Sequence, residues 1–226
     1  MSVLDPPYRF DGYRSTVFRS PNNALVTPPA GGTELTGPRF GERDIGPADA
    51  DLTRQGEGDD EAIGERIIVH GTVTDQQGRP VPETLLEIWQ ANAAGRYVHK
   101  RDQHPAPLDP NFVGAGRCLT DAAGYFRFVS IKPGPYPWKN HHNAWRPAHI
   151  HFSLFGQAFT QRLVTQMYFP GDPLFYQDPI FNSIHDERAR QRLVSQYDHD
   201  TTSPEWATGY RFDIVLGGTD PTPFEG

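Results

Sequence analysis

Tyr210-Arg211-Phe212-Asp213-Ile214-Val215-Leu216 places Tyr210, Phe212, Ile214 and Leu216 on one parity and Arg211, Asp213 and Val215 on the other. This two-residue period is that of a strand with one apolar face. The period recurs upstream. Ile67, Val69 and Val73 share a parity ahead of the turn residues Asp75-Gln76-Gln77-Gly78, and residues 85–89 supply a further strand. Phe126 and Phe128 face one way within residues 125–129, as do Ile150, Phe152 and Leu154 in the run that begins at His149. Short strands of this kind, separated by Gly, Pro and Asp turns, predict an all-β chain with a β-sandwich core. A helix is expected over residues 184–197, where Ser183 and Asp186 have capping-box spacing and Leu193 and Tyr197 sit at i, i+4. The fold class is thus all-β, a sandwich with one or two short helices.

The first sixty residues read differently. They carry turn punctuation such as Thr27-Pro28-Pro29-Ala30-Gly31-Gly32 and an acidic stretch from Asp49 to Glu61, with few alternating apolar runs. The expected division is a largely irregular N-terminal arm over residues 1–63, making subunit contacts, and a β-sandwich over residues 64–226. With 226 residues, 36% of them hydrophobic, the chain can bury a sizeable core. A net charge of −7 and a pI near 5.7 argue against binding nucleic acid or adhering to anionic membranes. Cys118 is the one cysteine, which excludes an internal disulfide and a cysteine-rich zinc site. No secretory pattern opens the chain and no stretch is long and apolar enough to span a bilayer, so a cytoplasmic location is expected.

The chemistry-bearing residues begin with Pro147-Ala148-His149-Ile150-His151-Phe152. On a strand, residues i and i+2 share a face, which sets the two imidazoles about 6.5 Å apart at the backbone, close enough to bind one ion. A solvated or hydrogen-bonded histidine face explains the same spacing. In Lys132-Pro133-Gly134-Pro135-Tyr136-Pro137-Trp138 a proline on each side of Tyr136 fixes the local backbone, so Tyr136 sits in a stiff turn. It is either a ligand or a cap on the core edge. Tyr97, in Gly95-Arg96-Tyr97, is either a ligand or a rim aromatic.

Taken together, these three segments resemble the intradiol ring-cleaving dioxygenases. The spacings of 39 residues from Tyr97 to Tyr136, 13 to His149 and 2 to His151 match the family's Tyr, Tyr, His, His iron set. The similarity continues through Leu108-Asp109-Pro110-Asn111-Phe112, Gly116-Arg117-Cys118-Leu119-Thr120-Asp121, Gly171-Asp172-Pro173-Leu174 and the final strand, and so covers most of the chain from Gly64 onward. Arg19-Ser20-Pro21-Asn22-Asn23-Ala24-Leu25-Val26 in the arm resembles the family's protocatechuate-cleaving branch.

The resemblance implies an iron(III) cofactor held by Tyr97, Tyr136, His149 and His151. It also implies cleavage of a catechol by O2 to a cis,cis-muconate, as part of aromatic catabolism by the β-ketoadipate route. Two phenolates suit a ferric ion, which is charged strongly enough to displace a phenol proton of ordinary pKa about 10. By the same resemblance Tyr136 is the ligand that leaves when substrate binds, Arg146 stabilises charge on the ring, and Gln166 lies near the reacting carbon. Tyr13, Trp138, Tyr168 and Ile180 form the substrate pocket. Arg146 as a surface ion pair, and Trp138 and Ile180 as plain core, are the bland readings of those residues. Tyr13 and the helix-poor arm favour 3,4-dihydroxybenzoate (protocatechuate) over catechol, and imply an iron-bearing β chain paired with a homologous α chain in a higher oligomer. Two rivals remain. Gly71-Thr72-Val73-Thr74-Asp75 and Thr120-Asp121-Ala122-Ala123-Gly124 suit a transthyretin-like binding module equally well. A zinc hydrolase would need a carboxylate base tied to the histidines, and none is evident.

Overall fold

In the computed structural model, residues 4–24, 26, 45–139, 142, 144–155 and 162–224 are described. The punctuation at residues 27–32 and Leu25 of the arm motif lie outside them. Two sheets face each other. The first is built around β1 (Arg66–Asp75), and the second contains β2 (Leu85–Gln90) and β3 (Ala115–Leu119). β4 (Tyr125–Ile131) returns antiparallel along β1. A short ribbon of β5 (Tyr136–Trp138) and β6 (Ala144–Arg146) precedes β7 (His149–Phe155) and β8 (Arg162–Tyr168). The second sheet has the order β3-β2-β7-β8 and is antiparallel throughout. β9 (Gln196–Tyr197), β10 (Thr208–Arg211) and β11 (Ile214–Leu216) complete the first, with β10 and β11 running parallel to β1.

Alternation puts the apolar parity of each strand inward. Ile67, Val69, Phe126, Phe128, Phe212 and Ile214 from one sheet meet Leu86, Ile88, Ile150, Phe152 and Met167 from the other. Phe152 is the hub: it is fully buried, with ring centroids 5.3 Å from Phe212, 5.9 Å from Phe128 and 6.1 Å from Phe126. Residues ahead of position 64 also enter this core. Leu52 is fully buried, and its N–H donates to the Val129 carbonyl at 2.9 Å.

The final strand differs from its reading as one run. β10 and β11 are separated by Phe212 and Asp213, although the inward alternation of Tyr210, Phe212 and Ile214 persists. The cause lies opposite, at Gly71, where a Cβ would stand 2.0 Å from the Phe212 carbonyl oxygen. The absent side chain lets the two backbones close up. The Thr72 N–H is then taken by the Asp213 side chain at 2.9 Å instead of by a backbone carbonyl.

The helix expected over residues 184–197 is also corrected. The described residues hold three short α-helices, α1 (Arg14–Arg19), α2 (Pro179–Ser183) and α3 (Glu187–Gln191), and two single-turn 3-10 helices, Pro47–Ala50 and Phe175–Gln177. Asp186 caps α3 by accepting from the Ala189 N–H at 3.0 Å, while the Ser183 hydroxyl donates back to the Ile180 carbonyl and caps nothing. Beyond α3 the chain is drawn onto β8: Tyr168 donates to Leu193 at 2.7 Å and Ser195 to Tyr168 at 2.8 Å. Those bridges compete with further helical turns and win. No helix among the described residues is long and apolar enough to cross a membrane.

If Phe152 is the hub, Phe152→Ala should lower unfolding free energy by about 3–5 kcal/mol, whereas Ile63→Ala, at an exposed position, should change it by less than about 0.5 kcal/mol. Urea denaturation of the two variants checks this.

Candidate active site

The parity that buries Ile150 and Phe152 turns His149 and His151 to the outer face of the second sheet. Register does the rest. His151 lies opposite Trp89 on β2 and Gln166 on β8, and His149 lies opposite Tyr168. The two imidazole centroids are 4.8 Å apart with planes at 79°. Each ring is held by a different device. His149 Nδ1 is 2.6 Å from the Pro147 carbonyl, so it carries the proton and donates there, leaving the Nε2 lone pair available. Burial, the Arg146 guanidinium and His151 hold His149 well below the usual imidazole range, which keeps it neutral. His151 is stacked on the Trp89 indole, with centroids 4.8 Å apart and planes within 2°.

Tyr97 arrives on the turn after β2 and Tyr136 at the start of β5, where the proline-bracketed segment locks against that turn. Asn92 Oδ1 accepts from the backbone N–H groups of Ala94 and Arg96 at 3.0 and 2.9 Å, forming a tight turn after β2. Gly95 in that turn has φ +77, and a Cβ there would stand 2.4 Å from the Pro135 carbonyl oxygen. Gly134 N–H in turn donates to the Asn92 carbonyl at 2.9 Å. The proline-bracketed loop is thereby pressed on the turn, and the Tyr97 and Tyr136 rings meet edge to face at 5.7 Å. The Tyr97 hydroxyl oxygen lies 3.2 Å from His151 Nε2 and 3.4 Å from His149 Nε2. The Tyr136 ring is 5.7 Å from that of His149. The Tyr97 phenol oxygen and two imidazole nitrogens therefore converge, with the Tyr136 ring packed against them, a residue set able to hold a highly charged cation. Among the described residues no group of three or more His, Cys, Asp or Glu side chains offers another such place.

Above this set opens a cleft of about 770 Å³, with Tyr97, Tyr136 and His151 in its floor and Tyr13, Trp138, Arg146 and Ile180 in its walls. Tyr13 comes from the N-terminal segment. It is pinned at the start of α1, where its N–H donates to the Phe10 carbonyl at 2.8 Å and the Thr16 hydroxyl ties back to the Tyr13 carbonyl at 2.8 Å. Its ring leans on Trp138 at 5.4 Å, and the Arg19 guanidinium lies 4.9 Å from the Tyr13 ring centroid. The Arg146 guanidinium lies 5.5 Å from the Trp138 ring centroid.

His149, Gln166 and Tyr168 do not line this cleft but support it from behind. Gln166 borders a separate space of about 10 Å³ with Tyr168, Ile180 and Phe224. Arg146 donates through Nη2 to Gln166 Oε1, and the Tyr168 hydroxyl lies 3.1 Å from the same oxygen. Two residues escaped the sequence reading. Trp89 shares the outward parity of its strand, a signal that becomes readable only once β2 is known to pair with β7. Asp178, fully buried, places Oδ1 3.1 Å from Arg146 Nε. Its position before Pro179 signals a helix cap but says nothing of the guanidinium.

Comparison with known proteins agrees with this geometry. Residues 35–218 match the family described as Dioxygenase, and residues 6–29 match that described as Protocatechuate 3,4-dioxygenase beta subunit N terminal. The chain is 58% identical over 220 residues to the protocatechuate 3,4-dioxygenase beta chain of Burkholderia cepacia, covering 97% of this chain and 93% of the relative. It is 31% identical to the protocatechuate 3,4-dioxygenase alpha chain of Pseudomonas putida, covering 73% of this chain and 77% of that one. Among solved structures, 3-chlorocatechol 1,2-dioxygenase from Rhodococcus opacus superposes with a TM-score of 0.55 at 26% identity, over 76% of this chain and 67% of the other. The outward histidine pair, the interlocked tyrosine loops and these matches lead to one conclusion: the chain belongs to the intradiol ring-cleaving dioxygenase family.

Proposed function

We propose that this chain is the iron-bearing β chain of a protocatechuate 3,4-dioxygenase, converting 3,4-dihydroxybenzoate and O2 to 3-carboxy-cis,cis-muconate. The observation that carries the reading is the meeting of Tyr97 Oη with His149 Nε2 and His151 Nε2 within 3.2–3.4 Å, where Tyr97 and His151 floor a cleft with aromatic and guanidinium walls. The donor set fits iron(III): His149 is already neutral with Nε2 exposed to the site, and two tyrosines can supply the negative charge. Tyr97, Tyr136, His149 and His151 would hold the metal. Iron(III) there would supply a Lewis acid that makes the catechol hydroxyls more acidic and draws electron density from the ring, opening it to O2.

The chain's own groups do the remaining work. Tyr136, at the cleft floor, would accept a proton at Oη from an incoming catechol hydroxyl. Trp138 and Ile180 hold the ring between them. Arg146 stabilises negative charge developing on the ring and cannot lose its own proton. Gln166 and Tyr168 keep Arg146 in place, and the Tyr13 hydroxyl donates to the substrate carboxylate. Both oxygen atoms of O2 enter the product, one in each new carboxyl group.

The N-terminal segment, residues 1–63, is proposed as a subunit-contact arm that also delivers Tyr13. Phe18 on α1 is 78% exposed, an apolar side chain that suits a partner surface. The proposed partner is a homologous α chain, in line with the 31% identity to such a chain. A cytoplasmic setting suits the lone Cys118, a buried thiol whose pKa burial pushes up to about 12.

Oxygen uptake with co-expressed α chain tests the reading: protocatechuate should consume one O2 and yield 3-carboxy-cis,cis-muconate, and recovery of a semialdehyde would refute intradiol cleavage. Arg146→Met should lower kcat/KM by about 10²–10³-fold. Tyr13→Phe should raise the ratio of KM for protocatechuate to KM for catechol by about tenfold or more, the loss of one hydrogen bond to a charged group. Steady-state kinetics on the two substrates measures both.

A further inference from the structure

Among the described residues, Asp178 is the one fully buried carboxylate in contact with the cleft walls, and three different elements meet on it. Oδ1 stands 3.1 Å from Nε of Arg146 on β6 and accepts from the Ile180 N–H of α2 at 2.9 Å. Oδ2 is 3.0 Å from the hydroxyl of Tyr168 on β8. The Nε–H of Arg146 points off the line to Oδ1, so the pair is held by charge, and direction comes from Nη2, which donates to Gln166 Oε1 and lies 3.4 Å from the Tyr168 hydroxyl. Arg146 is 3% exposed and cannot neutralise itself by losing a proton. A buried guanidinium without an anion would turn toward whatever negative charge the cleft holds.

We infer that Asp178 is a positioning residue for ring cleavage, its carboxylate setting at once the place of the Arg146 guanidinium and of the Ile180 wall. The inference rests on the protocatechuate dioxygenase reading for its kinetic consequence, though not for its geometry. Arg146 and Ile180 reach the cleft from different elements, and the shared Oδ1 ties the two together. Asp178 also keeps the buried guanidinium electrically matched before substrate arrives, so that its field is directed at the ring without collapsing onto the substrate's oxygens.

A helix cap alone would explain the Ile180 contact, and one substitution separates the two roles. Asn is as good an N-cap as Asp and nearly the same shape. Asp178→Asn therefore keeps the cap and removes the charge. For a cap, the variant would have parent kinetics. For a positioning carboxylate, kcat for protocatechuate should fall about 10–100-fold with KM changed less than about threefold, while in an Arg146→Met background the same substitution should cost less than about twofold. The thermal unfolding of metal-free protein gives a second readout that needs no turnover. Asp178→Asn should unfold roughly 5–15 °C below the parent, and Asp178→Asn with Arg146→Met together should regain much of that loss, because both buried charges are gone. Parent-like kcat in Asp178→Asn, an undiminished cost in the Arg146→Met background, or a double variant no more stable than Asp178→Asn would overturn the inference. A parent protein that does not turn over protocatechuate would sink the proposed function instead, and the unfolding comparison would still decide the role of Asp178.

Discussion

Pleating gives β7 two faces, and both the core and the candidate site are built on them. Ile150, Phe152 and Leu154 enter the sandwich, while His149 and His151 stand on the other side. A slip of one residue would carry two imidazoles in among the phenylalanines and turn Ile150 and Phe152 outward. Pairing on both edges prevents this, since β2 and β8 fix the same strand from either side over six and seven residue pairs. Burial of Phe152 and convergence of the histidines are consequently one constraint seen from two faces.

The tyrosines depend on a second, local constraint. Neither Tyr97 nor Tyr136 lies within the second sheet, and each would be an ordinary rim aromatic if its loop were free. The close approach of Gly95 to Pro135, possible because no Cβ intervenes, and the hydrogen bond from Gly134 to Asn92 weld the two loops into one body. The proline bracket around Tyr136 then acts in the unfolded chain as well, by limiting the conformations that must be given up. The result is a preorganised set of donors on rigid elements, with the cleft walls supplied separately by the N-terminal segment, β5, β6 and α2.

Much of this was legible in the sequence where a period or a spacing carried it. Alternation in residues 67–73, 125–129 and 150–154 gave the sandwich, and the spacing of Tyr97, Tyr136, His149 and His151 marked residues that the fold does bring together. What was not legible depends on partners far away in the chain. The break between β10 and β11 follows from Gly71 on another strand. The helix expected over residues 184–197 yields to bridges onto β8, and a capping-box spacing at Ser183 says nothing about those. Trp89 and Asp178 needed the strand pairing and the burial of Arg146 before either had a meaning. Gln166 and Tyr168 are near the site as read, but behind it, tied to Arg146 and outside the lining of the cleft.

Two phenolates and two imidazoles from this one chain are proposed to hold a ferric ion. The visible absorption spectrum of iron-loaded protein tests it most directly. A broad phenolate-to-iron(III) charge-transfer band should appear, and should shift or weaken in Tyr97→Phe and in Tyr136→Phe. A protein that remains colourless after loading with iron, or a band unchanged in both variants, would contradict it.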